Sequence, residues 1–114
     1  MTMITGDALL TALHVARVTK IVQNEIFLLE KNGEEYKWRH GDKDDHWAEF
    51  SDFEKLGELG MTGAGLSWLV DNQPESVLRK VLPRVRVFAR TSPTQKENII
   101  IKLKVSYARP FVSL

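Results

Sequence analysis

The spacing of apolar positions along this 114-residue chain changes several times, and each change predicts an element. An apolar stub, Met3-Ile4, runs into Thr5-Gly6-Asp7. Leu9, Leu10, Leu13, Ala16 and Arg17 then fall on one helical stripe, which predicts a helix opened by Asp7 as N-cap and ending near Val18 to Lys20. Ile21-Val22 and Ile26-Phe27-Leu28-Leu29 are β-prone. Asn32-Gly33 followed by Tyr36-Lys37-Trp38 is a strong hairpin signal, predicting antiparallel strands over about 25–30 and 35–39. Gly41 to Asp45 reads as a polar loop. Phe50, Phe53 and Leu56 predict a short helix starting at Ser51 or Asp52 and broken by Gly57 or Gly60. Leu66, Leu69 and Val70 trace another, closed by Asp71-Asn72, and Pro74 to Leu82 a third, stopped by Pro83. Val85, Val87 and Ala89 alternate with Arg84, Arg86 and Phe88 as a strand does. Ser92 then reads as N-cap, Pro93 as first helical residue and Gln95 as capping-box partner, opening a helix over 93–104. Val105 to Leu114 carry neither periodicity nor turn logic, so no element is expected there. The order of strand, helix, hairpin, three helices, strand and helix is that of an α/β domain.

Composition narrows the function classes. A hydrophobic fraction of 43% with 27% charged residues is that of one soluble globular domain. Sixteen Lys and Arg against fifteen Asp and Glu leave a net charge of +1, which argues against nucleic acid as a partner. The absence of cysteine excludes disulfides and thiolate metal sites and fits a reducing compartment. Apolar runs are a few residues long, far below the roughly 18–20 needed to cross a bilayer, and no secretory signal pattern is present.

Most candidate motifs have bland explanations. Gly60 to Gly65 has the two glycines of a P-loop, but Leu66-Ser67 stand where its lysine and hydroxyl belong, so a plain turn is expected. Asp42, Asp44 and Asp45 begin like a calcium loop, yet Trp47 and Phe53 replace its glycine and glutamate, which leaves a solvated turn. His14, His40 and His46 lack metal-ligand spacing, and no metal is expected. Trp38, Trp47, Trp68, Phe50 and Phe53 read as packing residues, and Arg79, Lys80, Arg84, Arg86 and Arg90 as a solvated basic face.

Two strand-loop-helix junctions remain, Met3 to Asp7 and Val87 to Lys96. Open α/β sheets bind ligands beyond the carboxyl ends of their parallel strands, so parallel neighbours would bring both junctions to one edge. There Thr5 offers a hydroxyl, Gly6 a backbone N–H and Lys96 a cation to a single phosphoryl group. Lys96 sits in the first turn of its helix, where a cation costs about 0.3–1 kcal/mol against the helix dipole unless an anion is bound nearby.

These residues resemble the phosphorylation domain of P-type ATPases, pumps that pass through an aspartyl-phosphate. Met3-Ile-Thr-Gly-Asp7 with Leu10-Thr-Ala12 and His14-Val-Ala16 is similar to the family's TGD loop and following helix. Val87-Phe-Ala-Arg90 with Ser92-Pro93 and Gln95-Lys96 is similar to its FAR-x-x-P-x-Q-K segment. The hairpin and Gly60-Met-Thr-Gly63-Ala-Gly-Leu66 are most similar to the type V subgroup, in particular its endoplasmic-reticulum branch. The resemblance covers about residues 1–104 and leaves 105–114 as a non-matching tail. It implies a partial Rossmann-like, haloacid-dehalogenase-type domain with a β-hairpin insert. It also implies site roles for Thr5, Gly6, Asp7 and Lys96, and a place near the nucleotide for Arg90. ATP and magnesium would serve the intact parent at the endoplasmic-reticulum membrane, with this domain on the cytosolic face. Its partners would be the parent's nucleotide-binding, actuator and transmembrane parts. Ala8 departs from the Asn or Gln that usually follows TGD. The DKTGT nucleophile and the GDGxND motif are absent from these 114 residues, so a soluble fragment, inactive alone, is expected. The rival expectation is a free-standing, non-catalytic α/β phosphate-binding or interaction module. With the nucleophile's strand missing, an unpaired sheet edge and marginal folding are expected.

Overall fold

Short β-branched and aromatic runs supply seven strands to one sheet in a computed structural model that describes residues 1–43 and 45–114. Asp44, which the sequence puts in the polar loop, lies outside the described residues. The strands are β1 (Thr2–Ile4), β2 (Ile26–Asn32), β3 (Glu35–His40), β4 (Trp47–Ala48), β5 (Glu58–Thr62), β6 (Val85–Ala89) and β7 (Phe111–Ser113). Their spatial order is β4-β3-β2-β5-β6-β1-β7. From β2 to β7 across the sheet every pairing is parallel, while β3 runs antiparallel to β2 and β4 antiparallel to β3. The helices are α1 (Leu9–Val18), α2 (Gly63–Asn72), α3 (Glu75–Val81) and α4 (Pro93–Ile101).

Consecutive residues of the central strands are buried on opposite faces, as expected of a parallel sheet covered on both sides. Met3 and Val87 pack with Ala12, Leu13 and Ala16 of α1. Their neighbours Ile4 and Phe88 pack with Leu66 and Leu69 of α2, Leu78 and Val81 of α3, and Ile99 of α4. So α1 covers one face and α2 to α4 cover the other. The hairpin forms where expected, with Gly33 at φ +68 and Asn32 paired to Glu35. Its Trp38 is fully buried and donates its indole N–H to the Phe50 carbonyl at 3.0 Å. Phe50 in turn lies edge-on to Trp68 of α2, with ring centres 5.1 Å apart, and Trp68 stacks on Tyr36 at 5.0 Å. These rings fasten the hairpin to the α2 side of the molecule.

The expected mixed α/β class, with its hairpin, is the one observed, and β6 has the expected bounds. Several local expectations are corrected. Asp7 does not cap α1; its N–H donates to Thr5 Oγ1 at 3.1 Å, and Ala8 holds the N-cap position without a side-chain bond. Leu10 faces outward, 78% exposed, and Ala12 takes the inner position. The short helix after the polar loop is a 3₁₀ helix, Phe50–Lys55, starting before Ser51. Gly60 to Gly65 is not a turn but the end of β5 and the start of α2, capped by Thr62 Oγ1 accepting the Gly65 N–H at 3.2 Å. A Cβ at Gly60 would lie 2.9 Å from Leu28 Cδ2, so cross-strand packing selects a glycine that hides the strand from propensity. α4 stops at Ile101 and widens into a π-type turn over Lys102–Ser106.

The tail also departs from expectation, because Phe111–Ser113 forms β7 and pairs with β1. Main-chain bonds join the two strands, with Thr2 N–H on the Pro110 carbonyl at 3.2 Å and Leu114 N–H on the Ile4 carbonyl at 2.9 Å, and Phe111 and Val112 pack against the cores on opposite faces. Burial, and next the Glu75 carboxylate, push the Tyr107 phenol above its ordinary value. Removing the ring that joins hairpin to core tests the packing scheme. Trp38→Ala should cost about 3–5 kcal/mol, read as a lower urea midpoint at unchanged slope; a loss under about 1 kcal/mol would refute the role given to that ring.

Candidate functional site

β1 and β6 are parallel neighbours, with Met3 opposite Val87 and Ile4 opposite Phe88. Their following helices, α1 and α4, leave toward opposite faces, which opens a crevice at the carboxyl ends of the two strands. The loops bordering this crevice are laced together by main-chain bonds. Thr91 donates both its N–H, at 3.2 Å, and its hydroxyl, at 3.0 Å, to the Thr5 carbonyl. Arg90 N–H donates to the Asp7 carbonyl and Thr5 N–H to the Phe88 carbonyl, each at 2.9 Å.

Within that frame each residue singled out from sequence has a defined setting. Thr5 is 1% exposed, and because its hydroxyl oxygen accepts the Asp7 N–H, the hydroxyl proton is left to donate. Gly6 is exposed, and a Cβ there would meet only the Thr91 carbonyl at an ordinary 3.7 Å. The fold therefore does not require glycine at position 6. The Asp7 side chain is exposed while its backbone closes the loop on both sides. Arg90 has φ +51, a conformation costing a non-glycine residue roughly 1–2 kcal/mol, and its exposed side chain projects from that kink.

The capping box of α4 is present in full, with Gln95 N–H on Ser92 Oγ at 3.2 Å and Ser92 N–H on Gln95 Oε1 at 3.1 Å. Gln95 does more than the sequence suggested. Its Nε2 donates to the Gly63 carbonyl at 2.8 Å and to Ser67 Oγ at 3.0 Å, tying the start of α2 to the start of α4. A Cβ on Gly63 would run into Gln95 Oε1 and stand 2.6 Å from the Arg90 carbonyl. Three strand-to-helix junctions thus meet at one edge. Thr91, Gly63 and Ser67 were missed from sequence because their partners lie 28 to 86 residues away.

An open depression lies between these junctions, bordered by Gly6, Gly63, Ala64, Ser67, Arg90, Thr91, Ser92 and Gln95. It contains no carboxylate, and its single charged group is a guanidinium, so its chemistry suits an anion. Lys96 is half-buried and donates from Nζ to an oxygen of the terminal residue, Leu114, at 2.6 Å. Because the Leu114 N–H is held by the Ile4 carbonyl, the ammonium sits at the β1 end of the same edge. Of the five residues singled out, Gly6 and Arg90 border the depression, Thr5 and Asp7 are joined to it through their backbone bonds with Thr91 and Arg90, and Lys96 lies toward the β1 end of the edge, outside that lining. His40 is placed elsewhere, its Nδ1 accepting the Asp42 N–H at 3.0 Å in the hairpin loop. Among the described residues no cluster of three or more His, Asp or Glu gathers to hold a metal ion.

Two glycine substitutions separate what the fold needs from what a ligand would need. Gly63→Ala should lower stability by about 1–3 kcal/mol, since backbone as well as side chain must yield. Gly6→Ala should leave it unchanged or raise it by about 0.4–1 kcal/mol. Urea unfolding of both variants decides, and the reverse order would contradict the packing described.

The chain matches no family profile. Among curated proteins it is 37% identical over 108 residues to "Probable manganese-transporting ATPase PDR2" of Arabidopsis thaliana, covering 90% of this chain and 9% of that protein. It is 34% identical over 113 residues to the endoplasmic reticulum transmembrane helix translocase spfA of Aspergillus fumigatus, covering 90% of this chain and 8% of that protein. The Saccharomyces cerevisiae protein named endoplasmic reticulum transmembrane helix translocase is 33% identical over 122 residues, with 90% and 9% covered. The chain thus spans less than a tenth of the length of these curated relatives. It is a homologue of one segment of the type V P-type ATPases.

Proposed function

We infer that residues 1–104 form part of a P-type ATPase phosphorylation domain with a haloacid-dehalogenase-type, Rossmann-like core, and that residues 105–114 are a tail outside the family's pattern that nevertheless adds a strand to its sheet. The task of this segment is to hold and neutralise a phosphoryl group. Thr5 contributes its hydroxyl, Gly6 its backbone N–H and Lys96 its charge, while Asp7 orders the loop and Arg90 faces the nucleotide side. The observation that carries this reading is the double donation from Thr91 to the Thr5 carbonyl, which holds the two loops as a single unit. Phosphoryl transfer relies on positioning and on stabilising charge on the transferring oxygens, so donors fixed before reaction are what the chemistry demands.

The intact protein would use ATP and magnesium to move a substrate at the endoplasmic-reticulum membrane, with this segment on the cytosolic side. The relatives' names, manganese transport in one and helix translocation in others, define the substrate classes to try first. The donor set bears on which parts of that chemistry lie here. The depression's hydroxyl, amide and guanidinium groups fit phosphoryl oxygens, while Asp7 beside them is a single carboxylate, too few to hold a magnesium ion by itself. The magnesium ligands, the nucleophilic carboxylate and the transmembrane helices therefore belong to the remainder of the parent. None of the helices described is long and apolar enough to cross a membrane.

Titration with inorganic phosphate at constant ionic strength, followed through backbone amide resonances, tests this assignment. The Gly6 and Asp7 amides should shift saturably, and Lys96→Ala should weaken the apparent affinity by about tenfold or more, as expected for a lost hydrogen bond to a charged group. A response confined to the basic face at Arg79 and Lys80, or no response, would overturn the assignment.

A further inference from the structure

Among the described residues His40 is the only buried ionisable group, at 5% exposure. It ends β3, where the Phe27 ring of β2 meets it edge-on with ring centres 5.1 Å apart. Its Nδ1 accepts two backbone N–H groups from the loop that follows, Asp42 at 3.0 Å and Lys43 at 3.2 Å. An imidazole nitrogen that accepts carries no proton, so the neutral ring holds its proton on Nε2. Nε2 makes no hydrogen bond among the described residues and lies 3.3 Å from Oε1 of Glu25, an exposed carboxylate just before β2.

The two sides of the ring make opposite demands on a second proton. Glu25 favours an imidazolium. On the other side the added proton would sit on Nδ1, facing two N–H donors, and neither loop bond can survive it. The other charges around the ring are engaged or exposed. Arg17 of α1 holds the Asp42 carboxylate at 2.9 Å, and Arg39 holds Glu30 at 2.7 Å while reaching the His40 carbonyl at 3.3 Å. Lys43 is exposed, as is His46, whose carbonyl accepts the His40 N–H at 2.8 Å. We propose that His40 is a protonation switch for this loop: neutral, it latches Asp42 and Lys43 and with them the Asp42–Arg17 bridge to α1; protonated, it turns to Glu25 and lets the loop go. Gly41 is the pivot, because its N–H stays on the Ile26 carbonyl at 2.8 Å and a Cβ there would stand 2.9 Å from Ile26 Cγ2. The switch is independent of the phosphoryl-site assignment.

Nuclear magnetic resonance of the unaltered chain tests this between about pH 8 and about pH 5, the window in which histidine side chains ordinarily change charge. Ionic strength is held constant, and the imidazoles of His14, His40 and His46 are followed with the Asp42 and Lys43 amides and the Arg17 side chain. The two loop amides and Arg17 should move with the midpoint of the His40 imidazole, and the Gly41 amide much less. Glu25→Gln, made at an exposed side chain, should lower that shared midpoint by about 0.2–0.7 pH unit and leave those of His14 and His46 in place. Loop amides that follow another midpoint, or that stay still while His40 takes up its proton, would overturn the latch. A His40 ring that stays neutral through the window would overturn it too, as would protonation accompanied by loss of all native resonances in one step. An unchanged midpoint in Glu25→Gln would overturn the part given to Glu25, and an unmoved Arg17 the bridge to α1.

Discussion

The carbonyl oxygen of Thr5 accepts two hydrogen bonds from a residue 86 positions away, and the arrangement of the crevice depends on that contact. A carbonyl has two lone pairs, and both are used here by Thr91, once through its backbone and once through its side chain. The β1-α1 loop is thereby prevented from moving independently of the β6-α4 loop. Gln95 extends the same connection to the start of α2. Such a frame allows backbone N–H groups and a hydroxyl to be aimed before any ligand arrives, which is where most of the advantage in phosphoryl chemistry lies.

The parts of the structure with a strong local signature were legible in the sequence. Asn32-Gly33 marked its hairpin because a left-handed glycine is what such a turn requires, and Ser92-Pro93 with Gln95 marked a helix start by a reciprocal bond formed within four residues. β5 escaped notice because its Gly60 answers to Leu28 on the neighbouring strand and carries no β propensity of its own. β7 escaped because three residues paired through the main chain are too short a run to show a pattern of side chains. Asp7 was misassigned as a cap because the Thr5 hydroxyl draws its N–H into a separate turn. Thr5, Gly6 and Lys96 were singled out as candidates by type and spacing, whereas the bonds from Thr91 to Thr5 and from Gln95 to Gly63 became visible only through tertiary contact.

The tail gives the sheet a property that the rest of the chain does not predict. The edge of β1 is covered by β7, and the segment leading into it holds Ala108 at φ +48 and buries Tyr107 Oη and Arg109 Nε without hydrogen-bond partners. An oxygen of the tail's last residue accepts from Lys96, whose charge is out of place at a helix N-terminus. One residue with an unfavourable position in its helix, one glycine the fold does not require and one arginine in a left-handed kink all occur at the same edge. Local departures from structural preference concentrated at one place are what a ligand site leaves in a protein.

The most direct measurement is a crystal structure of the chain with inorganic phosphate. The account predicts one oxyanion within about 3 Å of both the Gly6 backbone nitrogen and Lys96 Nζ. Phosphate bound only at another surface, with neither Gly6 nor Lys96 touching it, would contradict it.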